Sequence, residues 1–389
     1  MSTIRYENAV VFQGANLPLV SSITVSNGLI VAPDAVADEV IDCGGAAILP
    51  AFGDAHCHPL LAARGSLGPN LSGCNSVDEI QQEVGEWAKA NPEAEWIVGG
   101  FYNRDLAAEG RFSRLWLDDL DPRPIVLQCS DQHAIWVNTA ALEASELLQG
   151  NSALFGVDLD GALALGTLRE DAKQHLLSCV PELPAAELAR AIERQLDYLA
   201  SLGIVFALDA WVDESGLEAY RLVNHAVKVD TAFWVRPETI LDEIDEEQSV
   251  KLFVDGVIGS ATAMVREPFQ CETDHPHGVS SWQRSAFEVA LRKLANGKRQ
   301  VYVHAIGDAA IDWVIDASAD LSGVHIEHGE MLTSDQIQKI SRTDKTVCFQ
   351  PLWARPDAMM QNALTNLGQA RAGRMYPMVE LQESGGRFV

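Results

Sequence analysis

The sequence predicts an α/β fold, in which helices cover the outside of a mainly parallel sheet. From residue 49 onward, short apolar strands alternate with amphipathic helices, and this alternation is typical of parallel sheets. Apolar residues make up 47% of the 389-residue chain and charged residues 21%, which is the composition of a globular protein. The alternation alone leaves open whether the sheet is doubly wound or closed into a barrel.

The balance of charge excludes several classes of partner. Asp and Glu number 55 against 28 Lys and Arg, so the formal net charge is -27. Such a surface repels phosphate backbones, and we expect neither nucleic acid nor an anionic membrane as partner. No apolar run approaches the ~18 residues of a membrane span, and Met1–Gln13 lacks the pattern of a secretory leader. We expect a cytoplasmic protein with a small-molecule substrate, and homo-oligomer formation is left open.

Seven cysteines are scattered along the chain. Their odd number and wide spacing argue against a disulfide framework.

The first 48 residues are rich in β-forming segments. Ile4–Phe12, Ser22–Ser26 and Gly28–Val31 have strand character, and the Asn27-Gly28 pair favours a tight hairpin turn. So short a segment cannot build an independent core, so we expect it to pack against the rest of the molecule.

Beyond residue 48, strands and helix boundaries can be assigned one after another. The pair Ser76 and Glu79 has the spacing of a helix capping box, as has the pair Thr333 and Gln336. Gly203 ends a helix directly before a strand. The predicted strands are Ile48–Ala55, Trp96–Val98, Pro124–Gln128, Ile204–Leu208, Val250–Val254, Gln300–Val303, Val324–Ile326 and Thr346–Phe349.

Two histidines follow the first strand of this region. His56 and His58 are two residues apart, so their side chains face the same way and Cys57 faces the other. Two adjacent imidazoles suit a cation such as Zn²⁺. The alternative is that they are ordinary polar residues where a strand meets a loop. Their place at the C-terminal end of an apolar strand favours the metal site, because α/β barrels carry their chemistry there.

Two further histidines lie at the ends of later strands. His304 and His328 could each be an ordinary polar residue, but histidines at three strand ends favour a common metal site. Alternation puts His325 and Glu327 on one face of the last strand, and Ile326 and His328 on the other. We choose His328 as the ligand.

Lys251 lies inside the apolar strand Val250–Val254, where an unpaired lysine is costly. A free ammonium group has no lone pair for a metal, whereas a lysine carboxylated by CO2 has oxygen donors that could bridge two cations. The residues alone favour the alternative, in which Lys251 reaches Asp255 on the same face of the strand.

Taken together, these motifs resemble the amidohydrolase superfamily, in particular its YtcJ-like branch, amidohydrolase family 3. The matching segments occur in family order over nearly the whole chain, and it is the set that is specific. They are Leu49–His58, Asp131–Asn138, Val250–Ser260, Val303–Asp308, Ile326–His328 and Phe349–Pro351.

The resemblance implies a (β/α)8 TIM-type barrel over residues 49–389, with an insertion within about 60–200. Residues 1–48 would form the N-terminal part of a small β-sandwich. The resemblance also implies a divalent metal centre, most often zinc, with one or two ions. The implied metal ligands are His56, His58, carboxylated Lys251, His304 and His328.

Three features of the site depend on the resemblance alone. His133 and Asn138 match a segment that faces the substrate in this branch, and His133 would steady the oxyanion. The family carries an aspartate on the eighth barrel strand that moves a proton to the leaving group. This chain stops at Gly385–Val389, where that strand would begin, so we expect strand 8 and its aspartate to be missing. No other aspartate is assigned to replace it.

The function implied is metal-dependent hydrolysis of an amide-type C–N bond, other than a peptide bond, in a small molecule. Deamination and hydrolysis of carbamates or esters are alternatives, because they use the same activated water. A second alternative, from a different class, is a catalytically silent or incomplete barrel fragment that lacks the strand-8 aspartate.

Overall fold

The computed structural model describes residues 2–14, 16–130, 134–149, 165–356 and 358–389. Its N-terminal segment forms two small sheets. The strands are β1 (Thr3–Glu7), β2 (Val10–Val11), β3 (Ile23–Ser26), β4 (Leu29–Val31), β5 (Glu39–Asp42) and β6 (Ala47–Ile48). One sheet has the order β4-β3-β1-β5, and the other pairs β2 with β6 in parallel.

The turn between β3 and β4 has the conformation that the sequence predicts. Asn27 and Gly28 have φ angles of 54° and 77°, and Ser26 pairs with Leu29 in the antiparallel ladder. Two successive positive φ angles are typical of the tightest hairpin turns. The hairpin is therefore confirmed, whereas the assignment of these sheets to a β-sandwich stays a prediction.

Strand β7 (Phe52–Cys57) begins the main sheet, and the chain then builds a second, smaller sheet before it returns. The elements between are α1 (Pro59–Gly65), α2 (Val77–Ala90), β8 (Ile97–Tyr102), α3 (Leu115–Asp118), β9 (Ile125–Cys129), β10 (Ala134–Val137), α4 (Thr139–Ala144), β11 (Thr167–Arg169) and α5 (Glu170–Cys179). The smaller sheet has the order β11-β10-β9-β8. Its core includes the buried rings of Tyr102, Phe112 and Trp136, so this part of the chain has apolar packing of its own.

The rest of the chain completes the main sheet. Its strands are β12 (Ile204–Val212), β13 (Lys228–Trp234), β14 (Val250–Phe253), β15 (Val301–Ala305), β16 (Val324–His328), β17 (Thr346–Cys348) and β18 (Arg387–Phe388). Its helices are α6 (Ala185–Ser201), α7 (Glu214–Tyr220), α8 (Arg284–Leu294), α9 (Asp308–Ala317), α10 (Ser334–Ile340), α11 (Ala358–Leu367), α12 (Gln369–Ala372) and α13 (Met378–Glu383). Short 3-10 turns span Arg104–Leu106, Ala108–Gly110, Leu147–Gln149, Leu241–Glu243 and Pro351–Ala354.

The eight strands of the main sheet are parallel, in the order β7-β12-β13-β14-β15-β16-β17-β18. Four strands separate β7 from β16 in this order, yet His56 on β7 contacts Glu327 on β16. The Cys348 thiol on β17 also lies 3.9 Å from the Ala55 carbonyl oxygen on β7. The sheet is therefore curled, with its first strand facing the later ones, and this is consistent with the predicted TIM-type barrel.

The expectation that strand 8 is missing is wrong for the first residues of that strand. Arg387 and Phe388 pair in parallel with β17, and the Phe349 amide donates to the Val389 carbonyl at 3.0 Å. Backbone groups on the edge of β17 that faces away from β16 thus form hydrogen bonds with β18. Neither Arg387 nor Phe388 carries a carboxylate, so β18 as described does not supply the aspartate of the family pattern.

Both predicted capping boxes are present, one of them in modified form. Ser76 Oγ accepts from the Glu79 amide at 3.2 Å, but the Glu79 carboxylate accepts from the Asn75 amide, at 2.7 Å. Gln336 Oε1 accepts from the Thr333 amide at 3.0 Å, which is the reciprocal bond expected of the box. These bonds satisfy amide groups that a helix start otherwise leaves open.

None of the helices in the described part of the chain is long and apolar enough to cross a membrane. All seven cysteines lie in the described ranges, and no disulfide joins any two of them.

Candidate metal centre

The four histidines predicted from the strand ends lie side by side at the C-terminal end of the main sheet. His56 is the penultimate residue of β7, and His58 directly follows that strand. His304 lies on β15, and His328 is the last residue of β16. The ring centroids of His58 and His56 are 5.1 Å apart. Those of His56 and His328 are 4.8 Å apart, and those of His328 and His304 are 4.5 Å apart. The imidazoles thus form one continuous row.

Strand β7 orients its residues as the sequence predicts. The side chain of His56 points inward and is 5% exposed. Cys57 points the other way, where its thiol lies 3.4 Å from the Leu208 carbonyl oxygen and packs among apolar residues of the outer layer. The alternation of a strand therefore brings the two imidazoles to the same side, with a ring angle of 83° between them.

Strand β16 departs from the alternation that the sequence suggests. His304, Glu327 and Cys348 are register partners on three neighbouring strands, and all three side chains face the interior. His328 has a φ of 73°, so the backbone leaves the extended conformation there. Because of this turn, the side chains of Glu327 and His328 both reach the interior. The prediction that they lie on opposite faces is therefore wrong.

Two of the imidazoles have one ring nitrogen held by an acceptor. His304 Nε2 donates to the Gly256 carbonyl at 3.0 Å, which leaves the lone pair on Nδ1. His328 Nδ1 donates to Gln350 Oε1 at 2.7 Å, which leaves the lone pair on Nε2. Acceptors of this kind set which nitrogen of a histidine can bind a cation.

The electrostatics of the site favour neutral imidazoles. Burial lowers the pKa of His56 far below its usual range, and the charges of Lys251, His58 and His304 lower it further. Burial also lowers the pKa of His328, again with neighbouring positive groups acting in the same direction. Neutral imidazole is the form that ligates metals.

Lys251 is fully buried on β14. Its Nζ lies 5.1 Å from the centre of the Phe253 ring and makes no hydrogen bond to any residue that the structure describes. The alternative in which it pairs with Asp255 is not observed, because the Asp255 carboxylate accepts from backbone amides instead. Burial lowers the pKa of Lys251 to about 8, and the charge of Glu327 opposes that shift.

Glu327 is a site residue that strict strand alternation does not select together with His328. Its carboxylate contacts His56 Nδ1, and the side chain is 1% exposed. Donor atoms of Glu327, His56 and Cys348 all lie within 4.8 Å of one another. Burial raises the pKa of Glu327, and the charge of Lys251 opposes this. One feature of the sequence does point to Glu327 as a site residue: it is an acidic residue near the end of a strand, directly before the predicted ligand His328.

The three aspartates near the site have other roles. Asp209 accepts from the Leu60 amide at 2.8 Å and from the Tyr220 hydroxyl at 2.6 Å. Asp308 accepts from the Arg266 amide at 2.8 Å. Asp255 joins two loops and is buried, and burial raises its pKa to about 7.

The two predicted substrate-facing residues have different outcomes. His133 lies outside the described residues, so its predicted role is untested. Asn138 is 1% exposed, and the prediction that it faces substrate is wrong. Its Oδ1 accepts from the amides of Ile125 and Ala141, and its Nδ2 donates to the Arg123 carbonyl. Asn138 therefore caps α4 and fastens it to the smaller sheet.

The chemistry of this donor set fits a divalent cation. Four imidazoles converge, and nitrogen ligands suit zinc and neighbouring transition metals. His58 Nδ1 is buried without a hydrogen bond from the described residues, and Asp209 Oδ1 is 3.9 Å away. A buried nitrogen without a partner is costly unless something else binds it.

Solved structures with the same fold include two from archaea. A metal-dependent hydrolase from Pyrococcus furiosus superposes with a TM-score of 0.76 at 24% identity, over 99% of this chain and 84% of that one. One from Pyrococcus horikoshii OT3 superposes with a TM-score of 0.77 at 21% identity, over 98% of this chain and 81% of that one. These likenesses support the α/β architecture described above.

Two relatives in sequence carry names of enzymes. The Bacillus subtilis (strain 168) protein named "Putative amidohydrolase YtcJ" is 26% identical, over 82% of this chain and 65% of its own length. The N-substituted formamide deformylase of Arthrobacter pascens is 28% identical, over 79% of this chain and 61% of its own length. The matched region spans less than two thirds of either relative.

A family model described as "Amidohydrolase family" matches residues 39–389. That range includes the whole main sheet, the smaller sheet and all four histidines. The chain belongs to the amidohydrolase family.

Proposed function

We propose that this chain carries the metal centre of a hydrolase that cleaves an amide-type C–N bond, other than a peptide bond, in a small molecule. The observation that carries the proposal is the row of four imidazoles at the C-terminal end of the main sheet. Membership of the amidohydrolase family supports hydrolysis, and the name of the Arthrobacter relative supports a C–N bond.

His56, His58, His304 and His328 are the residues we propose to hold the cation, and Zn²⁺ is the ion that their nitrogen donors favour. Lys251 would add oxygen ligands after its amine attacks CO2, forming a carbamate and releasing a proton to solvent. The buried Nζ without a hydrogen bond supports that step, because carboxylation would remove an unpaired charge from the interior and replace it with oxygen atoms that a cation can bind. One or two ions would fit this ligand set.

A divalent cation held there would act as a Lewis acid on a substrate carbonyl and would lower the pKa of a water molecule. Residues of the chain orient the imidazole rings and keep them uncharged, which is the state in which they can bind such an ion. Gly256 and Gln350 hold the rings of His304 and His328, and burial keeps the imidazoles neutral. His133 stays the residue predicted to steady the oxyanion.

Aromatic side chains flank the imidazoles on one side. Trp211 lies 6.3 Å from the ring of His58, and Phe253 lies 5.0 Å from the ring of His304. Trp211 and Phe253 also contact each other, with ring centroids 5.1 Å apart. A partly apolar wall of this kind supports an organic small molecule as the substrate.

The experiment compares the zinc-loaded protein with the chelator-stripped protein on a panel of N-formyl and N-acyl amines. Aminopurines, carbamates and esters in the same panel test the alternative reactions. We expect turnover of an amide by the loaded protein, loss of turnover on stripping and recovery on adding zinc. Full activity in the stripped protein would contradict the proposal, and absence of both metal and turnover would favour the silent fragment.

A matched control is available on β16. His325 lies three residues before His328, but it bonds to Gln300 at 2.7 Å and stacks on Tyr302. His325→Ala should therefore keep turnover and metal, whereas His328→Ala should lose both.

A further inference from the structure

We propose that Glu327 is a positioning residue that fixes the tautomer and ring orientation of His56, so that His56 Nε2 faces the cation site. The inference rests on the proposed function, because it concerns the same four imidazoles.

The contact itself determines which nitrogen carries the proton. The Glu327 carboxylate touches His56 Nδ1, and a carboxylate can only accept a hydrogen bond. With Glu327 ionised, a neutral His56 carries its proton on Nδ1, which leaves the lone pair on Nε2. The two nitrogens lie on different edges of the ring, so Nε2 is turned away from Glu327.

The surroundings of Glu327 hold its carboxylate in place. The thiol of Cys348, on the neighbouring strand β17, lies within 4.8 Å of the carboxylate. The positive charge of Lys251 acts on it from β14. His304 and Cys348 are its register partners on either side, so backbone pairing to both neighbouring strands fixes the position of its Cα. An acceptor held so firmly can orient a ring that it touches.

Glu327 completes a pattern that the other two inward-facing rings already show. His304 donates to Gly256 and His328 donates to Gln350, so each of these rings has one nitrogen held by the protein. Carboxylate–histidine–metal arrangements orient the ligand and make it more basic, and their removal costs about 10–100-fold in metal affinity. His56 lies between His58 and His328 in the row, so misorientation of its ring would affect the whole site.

The first test needs no metal and no turnover. Long-range ¹H–¹⁵N NMR of metal-free protein labelled at histidine reports the tautomer of each ring, and His56→Asn identifies the His56 signals. We expect the Nδ1–H tautomer for His56 in the wild type and in Glu327→Gln, whose amide oxygen can accept the same proton. In Glu327→Leu we expect a mixture or the Nε2–H tautomer. An unchanged tautomer in Glu327→Leu would overturn the inference.

The second test measures Co²⁺ affinity by competition with a chelator, together with the visible spectrum of the bound ion. We expect affinity to fall by about 10–100-fold in Glu327→Leu and by less in Glu327→Gln. Glu330→Gln is the matched control, because it removes a partly buried carboxylate three residues away that accepts from Tyr376 and not from His56. It should bind Co²⁺ as the wild type does.

Two further outcomes separate this inference from its competitors. A thiolate-to-cobalt band that disappears in Cys348→Ser would make His56, Glu327 and Cys348 a direct metal site and would overturn the positioning role. If the wild type binds no Co²⁺, the proposed function fails, but the tautomer measurement still decides the effect of Glu327 on His56. Glu327→Gln keeps that measurement available if Glu327→Leu does not fold.

Discussion

His328 shows how one backbone angle can build a site. Its φ of 73° and the φ of 53° at Gly329 place two successive residues in the left-handed region. A residue with a Cβ adopts that region at a cost of about 1–3 kcal/mol, and such strain is commonest at functional positions. Here the turn brings the His328 ring beside His56, while Glu327 still points inward from β16.

The sequence could not reveal this local geometry. Strict alternation along Val324–His328 forced a choice between Glu327 and His328, since alternation assumes an extended backbone throughout. Alternation with His328 as the ligand turns Glu327 away from the site, whereas the structure has both side chains in the interior. Asn138 was misassigned for a related reason, because a capping amide and a substrate-binding amide look alike in a sequence.

Asn138 gives a prediction about stability without catalysis. Asn138→Ala removes three hydrogen bonds to Arg123, Ile125 and Ala141 and leaves buried groups without partners. We expect the free energy of unfolding to fall by about 1–3 kcal/mol, measured by urea denaturation.

The control for this change is Asn75→Ala, which removes an exposed side chain bonded only to the Gly73 carbonyl in the described contacts. It should alter stability by less than about 0.5 kcal/mol. Turnover per folded molecule should be unchanged in Asn138→Ala, and a selective loss of turnover would mean that Asn138 does face the substrate.

At the scale of elements, the loops after β14 and β15 are joined through Asp255. Its carboxylate accepts from the amides of Met264, Ile306 and Gly307, so both loops are fixed close to His304. At Gly307 the two loops approach very closely: a Cβ there would lie 1.9 Å from the Met264 carbonyl oxygen. The position of His304 therefore depends on a glycine three residues further along the chain.

Replacing this glycine tests the dependence. Gly307→Ala should destabilise the protein by about 1–3 kcal/mol or more, because backbone must move to make room. It should also weaken zinc binding, since the loop beside His304 shifts. Gly259→Ala is the control in the first of these loops, where a Cβ meets nothing within 4 Å, and it should change neither quantity. Normal stability and zinc affinity in Gly307→Ala would contradict this account of the loops.

A second connection between elements depends on pH. Arg266 bridges Asp312 on α9 and Asp335 on α10, and its hydrogen bond to Asp335, with that from Thr333, lowers the pKa of Asp335 from 3.8 to about 2. A carboxyl group with a lowered pKa stabilises the folded state above its unfolded pKa. That contribution is lost as the pH falls from about 4 to about 2.

Asp335→Asn should therefore destabilise the protein at pH 6. The loss should not exceed about 1 kcal/mol, because the ion pair of Arg266 and Asp335 is partly exposed and solvent screens it. The difference from wild type should shrink as the pH falls through this window. Urea unfolding at pH 6 and pH 3 measures it, with the exposed Asp34→Asn as control. A difference that stays constant with pH would rule out this ionic contribution.

The elements that the sequence predicted correctly are those with continuous apolar runs. Strands β14 to β17 were all recognised, because both of their faces are covered and apolar residues dominate. Strand β13 (Lys228–Trp234) was missed, because Lys228, Asp230 and Thr231 interrupt its apolar character. Asp230 accepts from Ser249 next to it, so this polar residue is satisfied inside the sheet.

At the scale of the whole molecule, the site exists because the main sheet curls. Two of the histidines lie at the end of β7 and two on the neighbouring strands β15 and β16, which are far from β7 in the order of the sheet. Only the curl brings β7 against β16. Periodicity predicted parallel strands but could not decide between an open and a closed sheet. The resemblance to a family implies the closed barrel, whereas the histidines at three strand ends favour a common metal site without it.

Removal of metal should lower the stability of the whole chain. A ligand that binds only the folded state adds about 2.7 kcal/mol when its free concentration is 100 times its Kd. We expect chelator-stripped protein to unfold several degrees below zinc-loaded protein in a thermal scan. His56→Ala is the control, and its melting temperature should be the same with and without zinc. If the melting temperature of the wild type were also the same with and without zinc, metal binding would be contradicted.

The convergence of four imidazoles on one cation is tested most directly by the zinc content of the protein after equilibrium dialysis, measured by mass spectrometry. We predict about one to two ions per chain for the wild type and for His325→Ala. We predict almost none for His56→Ala and His304→Ala, provided that circular dichroism shows both to be folded. A wild-type chain without zinc, or a His56→Ala chain with as much zinc as the wild type, would contradict the account.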